Sequence, residues 1–307
     1  MLRWSLAGPE NVKLFDLHED IGYWHSRGFD FVSGQGPTSL EKLSSLGDVA
    51  VVAIIFPATG RGRYDLTLNV LLSQLKYFLS LEREGKVKIV RSAGDLDRPG
   101  VKLIIGLEGT DALSDAYDLL WLFNAGLRVI APTWNYNTKF AASCTSKKDY
   151  GLTDQGEELV RLANELGVVI DVSHSSRQTT LDVASISKRP VIATHSNAMA
   201  LKQHYRNLDD EEIEGIVRTG GVIGVTSIPG TLPSDDVKGI ASVANYIGER
   251  FGWDHVALGT DFLGLDRYPQ GFSDLANVSD LASLLGVHAD GVLWGNALRV
   301  FRSALPH

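Results

Sequence analysis

Eight apolar runs set the rhythm of this chain: VKLFDLHED (12–20), DVAVVAIIFP (48–57), VKLIIGLEG (101–109), LRVIAPTWN (127–135), VVIDVSHS (168–175), PVIATHSN (190–197), GVIGVTSIP (221–229) and HVALGTDF (255–262). Each reads as a β-strand, and most stay Val, Ile and Leu rich without polar alternation until their last residues, the pattern of parallel strands covered on both faces. Between them lie stretches with helical spacing. In 153–167, Leu159, Leu162, Ala163 and Leu166 form one stripe, Thr153 or Asp154 caps the start and Gly167 ends it. Segments 66–83, 110–126, 208–221, 240–252 and 272–286 fit helices too, and 175–188 fits less cleanly.

Eight strand–helix units in 307 residues are the size of one closed barrel, so the expected fold is α/β, a single (β/α)8 TIM-type barrel spanning 1–307. A doubly wound open sheet is the competing architecture. It would carry a Gly-rich phosphate loop after its first strand, and HEDIGYW is no such loop.

The formal net charge is -8 and no block of like charges stands out, so a nucleic-acid or anionic-membrane partner lacks its electrostatic footprint and a small-molecule substrate is expected. The first residues, MLRWSLAGPENVK, lack the pattern of a secretory signal, and no run approaches the length of a membrane span. The single cysteine, Cys144, excludes an internal disulfide and a multi-cysteine zinc site; a cytoplasmic location is the simplest expectation.

In such a barrel, polar residues at the C-terminal ends of strands read as chemistry. His18, His174 and His195, three of the eight histidines, end predicted strands, and so do Asp16, Asp20, Glu108 and Asp261. Taken singly, each has an ordinary reading: a polar strand end, a hydrogen-bonded histidine, an acid at a helix start, a loop cap. Converging on one mouth, they would be costly to bury without a counter-charge, and a divalent cation supplies it. Imidazole and carboxylate donors without thiolates suit zinc, with manganese, iron or cobalt as alternatives. One His-x-Asp pair, one Glu and two further His exceed the ligand set of a single open zinc and suit two ions sharing a carboxylate.

The ordered set DLHED, GLEGTDAL, YGLTDQGEELVRLANELGVVIDVSHSS, RPVIATHSNAMAL, RNLDDEEI, GVIGV, HVALGTDF and WGNALRVF resembles the membrane (renal) dipeptidase family of zinc metallopeptidases, within the amidohydrolase-like barrels. The resemblance implies two zinc ions: His18 and Asp20 on one, His174 and His195 on the other, Glu108 bridging. It implies Asp261 as acid/base, Arg206 as the partner of the substrate's carboxylate, and a homodimer. Asp16, deeper in its strand, is expected to fix a ligand's orientation. In one place the sequence departs from the family. Family members carry a histidine after the fourth strand that contacts substrate; here Trp134 stands in its place, with Asn135 or Asn137 as the nearby polar groups.

The expected activity is therefore metal-dependent hydrolysis of a dipeptide through a hydroxide held between two metals. One alternative keeps the metals and changes the bond to another amide, an N-acyl amino acid, a lactam or a lactone. A third reading is a barrel that binds metal or ligand without turnover, against which a free carboxylate at Asp261 argues.

Overall fold

The computed structural model describes residues 12–34, 36–57 and 64–307. All eight apolar runs form strands: β1 (Leu14–Glu19), β2 (Val49–Ile55), β4 (Val101–Glu108), β5 (Leu127–Ala131), β6 (Val169–Ile170), β7 (Ile192–Ala193), β8 (Val222–Val225) and β9 (Val256–Leu258). A two-residue strand, β3 (Lys88–Ile89), pairs with β4 off the main path. The main path runs β6-β5-β4-β2-β1-β9-β8-β7, all neighbours parallel. Its two ends meet through one parallel bridge, Asp171 with Ile192, and the Val172 N–H to Ile192 C=O bond at 2.8 Å closes the barrel.

The side-chain period of two divides the buried residues into two bodies. Val49, Val51, Ala53, Ile55, Leu103 and Ile105 pack outward against the helices. Ala50, Val52, Ile54, Ile104, Val129, Val222 and Ala257 belong to a second cluster, which the C-terminal helix Asn296–Ala304 completes with Ala297, Val300, Phe301 and Ala304. Phe15, near the start of β1, lies 5.1 Å from the Phe301 ring, and Arg189, just before β7, donates to Ala304 C=O. This helix therefore plugs the N-terminal end of the barrel and leaves the C-terminal end for the site. A Phe→Ala truncation in such a plug costs about 3–5 kcal/mol.

The helix expected over 153–167 runs Asp154–Leu166, with Thr153 accepting from the Gly156 N–H and Gly167 in the left-handed region at φ 77°. The poorly patterned 175–188 is a helix, Arg177–Ile186, capped by Ser176. The helix expected over 110–126 is shorter, Asp118–Ala125. Asp115 and Asp118 bond the local backbone instead: Asp118 Oδ2 accepts from Ser114 N–H at 2.6 Å and Asp115 Oδ1 from Tyr117 N–H at 2.8 Å. Glu108 consequently ends a strand well before any helix begins. Among the described residues no helix is long and apolar enough to cross a membrane. The opening segment through residue 11 and most of the loop after β2 lie outside the described residues.

Candidate metal centre

β1, β4, β6 and β7 deliver the histidines and acids to one place. Glu108 Oε1 lies 3.1 Å from His174 Nε2, 3.4 Å from His195 Nε2 and 3.7 Å from His18 Nε2. His18 Nε2 is also 3.7 Å from Asp20 Oδ2 and from Asp261 Oδ1. Two groups of ligand atoms, His18–Asp20–Glu108 and Glu108–His174–His195, each have cation-binding spacing, and Glu108 belongs to both.

The hydrogen bonds behind the rings decide which nitrogens face inward. Thr194 Oγ1 is 2.6 Å from Asp171 Oδ2 and 2.9 Å from Nδ1 of both His18 and His195. A hydroxyl has one proton to give; here it goes to the carboxylate, so both rings donate from Nδ1 and turn their Nε2 atoms into the centre. His174 Nδ1 donates to Asn135 Oδ1 at 2.7 Å, with the same result. Nε2 of His174 and Nε2 of His195 then face each other at 3.0 Å, lone pair to lone pair. Buried His18 Nε2 and Glu108 Oε1 have no hydrogen-bond partner. The opposed Nε2 lone pairs of His174 and His195, beside a buried Glu108 oxygen, fit a cation.

Two matching clasps hold the strand ends. Asp16 Oδ1 accepts from His18 N–H at 3.0 Å and Thr260 N–H at 2.9 Å, and Asp16 Oδ2 from Thr260 Oγ1 at 2.6 Å. Asp171 Oδ1 likewise accepts from Ser173 N–H and Thr194 N–H, both at 2.9 Å. Each clasp ties an Asp to a Thr that immediately precedes a site residue, Asp261 or His195. Asp16 thus positions the backbone of His18, while the His18 ring is held by Thr194. Asp171 also falls near His18 and His195 with ligand spacing, but its oxygens are taken up by the clasp. Asp171, Thr194 and Thr260 carry no expectation from the sequence; an acid inside the apolar run VVIDV is the signal that would have found Asp171.

His174 and Asp261 adopt φ 64° and φ 61°, left-handed values that residues with a Cβ rarely take. Asp261 N–H donates to His18 C=O at 3.0 Å, and Gly264 passes so close to Asp20 that a Cβ there would collide with its Oδ2.

Charge in this pocket follows burial. Burial holds His174 and His195 well below the usual imidazole range, reinforced by Arg206 and His18, so both are neutral. Burial also pulls His18 down, but Glu108, Asp20 and Asp261 together outweigh it and push the ring up to about 10. Burial, only partly offset by His18, raises Glu108 to about 8. Asp261 is raised well above the carboxylate range, first by burial and then by Asp20. Asp16 is raised to about 6 by burial against its hydrogen bonds, and buried Glu19 beside it well above its ordinary value.

A cavity of about 470 Å3 opens onto this cluster, lined by Asp20, Glu108, Trp134, Asn135, His174, His195, Arg206 and Asp261 among others. His18 and Asp16 lie fully buried behind it. Arg206 is buried, and its Nη2 donates to His195 C=O at 3.2 Å. Asn135 lines the cavity, and its carbonyl oxygen accepts from His174 Nδ1. Asn137 is bound into its own loop by Ser143 and Ser146.

The sequence profile described as membrane dipeptidase (peptidase family M19) matches residues 9–305. A Claviceps purpurea protein named dipeptidase tcpJ is 31% identical over 214 residues, covering 65% of this chain and 50% of its own. A Klebsiella pneumoniae protein, described as uncharacterized and encoded in the pqqA 5' region, is 30% identical over 262 residues, covering 77% of this chain and 96% of its own. The chain thus spans about half the length of the Claviceps relative and nearly all of the Klebsiella one. Among solved structures, a family M19 metallopeptidase called dipeptidase AC superposes with a TM-score of 0.85 at 24% identity, over 97% of this chain and 100% of that one. A Rhodobacter sphaeroides metallopeptidase bound to a phosphinate mimic of L-Ala-D-Ala gives 0.85 at 22%, over 96% and 99%. At these identities the structural matches speak for the fold.

Proposed function

The chain belongs to the membrane dipeptidase family, and from that premise we propose that it is a metal-dependent dipeptidase acting at the strand-end cluster around Glu108. The observation that carries the reading is the pair of opposed Nε2 atoms, His174 and His195 at 3.0 Å, beside the orphaned oxygen of Glu108. Two divalent cations, zinc by the donor set, would be held by His18 and Asp20 on one side of Glu108 and by His174 and His195 on the other. When bound they supply a polarised amide carbonyl and an ionised water near neutral pH.

The chain's own groups do the rest. Arg206 pairs with the free carboxylate of the second residue, which limits substrates to short peptides. Asp261 belongs to neither Glu108-containing ligand group, yet it lines the cavity with its Oδ1 3.7 Å from His18 Nε2. It takes the proton from the attacking water; as the water oxygen bonds to the carbonyl carbon and the C–N bond breaks, it returns that proton to the departing amine. Asn135 and Thr194 keep the imidazoles turned inward throughout.

A second reading, hydrolysis of N-acyl amino acids, is favoured by Trp134, whose indole offers one N–H donor and no cation or base. The zinc-loaded protein assayed against dipeptides and their N-acetyl counterparts separates the two. Turnover of free dipeptides supports the first reading; turnover confined to the acetylated series replaces it.

A further inference from the structure

The cavity over the cluster has two unlike walls. Tyr23, in the helix Ile21–Ser26 after β1, and Phe56 and Trp134, in the loops after β2 and β5, line it together. Tyr23 and Phe56 meet edge to face at 5.5 Å, Phe56 and Trp134 at 4.9 Å, and Tyr136 backs Trp134 at 5.3 Å. The Trp134 indole N–H makes no hydrogen bond among the described residues. Arg206 belongs to the loop after β7, and Ile228 and Pro229 to the loop after β8. In the strand order, β5-β4-β2-β1 form one arc and β9-β8-β7 the other, so the aromatic wall rises from the arc that carries Glu108 and His18, and Arg206 from the arc that carries His195.

This division constrains any substrate of the proposed reaction. With its carboxylate on Arg206 and its amide over the cluster, a dipeptide extends its first residue away from Arg206, toward Tyr23, Phe56 and Trp134. We infer that the enzyme selects dipeptides whose first residue carries an aromatic or large apolar side chain, with Trp134 as the residue that sets this preference. The inference rests on the dipeptidase reading. Three rings locked by edge contacts offer a further ring the tilted or edge-on geometry aromatic pairs prefer, and a wall already rigid loses little freedom on binding. A histidine at position 134 would put a polar, titratable group where this wall needs apolar surface.

The test is a set of kcat/KM values on zinc-loaded protein for X-Ala dipeptides, X being Gly, Ala, Leu or Phe, with the reversed Ala-X series as control. The expected rise from Gly-Ala to Phe-Ala is about tenfold or more, from the range that pocket contacts of this kind provide, with a flatter Ala-X series. Trp134→Ala lowers the Phe/Gly ratio and Trp134→Phe retains most of it; Phe56→Leu, a second variant, lowers the same ratio. A flat X-Ala series with robust turnover, or a ratio unmoved in Trp134→Ala and Phe56→Leu, overturns the inference and leaves the dipeptidase reading intact. No turnover of any dipeptide at full metal loading overturns both.

Discussion

Thr194 gives its hydroxyl proton to Asp171 across 2.6 Å, and through that bond it fixes the orientation of two imidazoles at once, His18 and His195. Thr194→Val removes the shared acceptor and leaves two buried ring N–H groups unpaired, while Thr194→Ser keeps it. The expected loss of metal affinity in the Val variant is about 10- to 100-fold, the usual effect of removing a hydrogen-bond partner behind a metal ligand. Competition with a chromophoric chelator measures it. Equal affinity in the Val and Ser variants would mean the rings are oriented without Thr194.

Asp261→Asn separates proton transfer from metal binding. The variant is expected to retain its metal and to lose kcat by about 10²- to 10⁴-fold, the span of general acid–base contributions. Metal analysis beside steady-state kinetics tests the split. Loss of metal in parallel with activity would make Asp261 a ligand.

The metal-free site holds protons that a cation must displace. Burial chiefly raises Glu108, and the surrounding carboxylates overcome burial to raise His18, so near pH 7 the pair holds at least one proton. Metal binding therefore releases protons, and affinity rises with pH between 6 and 8. Calorimetry in two buffers of different ionisation enthalpy reads the release directly. A buffer-independent enthalpy would contradict it.

Glu212 makes a prediction away from the metals. Burial is the main cause that raises it from 4.5 to about 7, while its carboxylate caps the helix Asp210–Arg218 by accepting from the Asp209 N–H at 2.9 Å. Because the folded value is the higher one, its contribution to stability is complete below pH 4.5 and is lost as pH rises through 7. Glu212→Gln keeps the cap and removes the titration. The variant should match the parent near pH 4.5 and exceed it at pH 8 by up to roughly 3 kcal/mol. Urea unfolding at the two pH values checks this, and a pH-independent difference would refute it.

The strands were legible because parallel strands covered on both faces read as uninterrupted apolar runs, and His18, Glu108, His174, His195 and Asp261 because each ends such a run. The helix over 110–126 is shorter than its apolar spacing suggests because Asp115 and Asp118 bond the local backbone, which that spacing cannot show. Only the fold brings Asn135 to His174, 39 residues away. Thr194 and Thr260 stayed hidden for a similar reason. A threonine in a strand is ordinary until an Asp from the neighbouring strand reaches it.

In the proposed reaction Glu108 joins two cation sites into one catalytic unit. Metal-free protein titrated with zinc, with dipeptide hydrolysis followed at each addition, tests it most directly. The predicted curve rises to a plateau at two equivalents per chain. A plateau at one equivalent, or no hydrolysis at full loading, would contradict it.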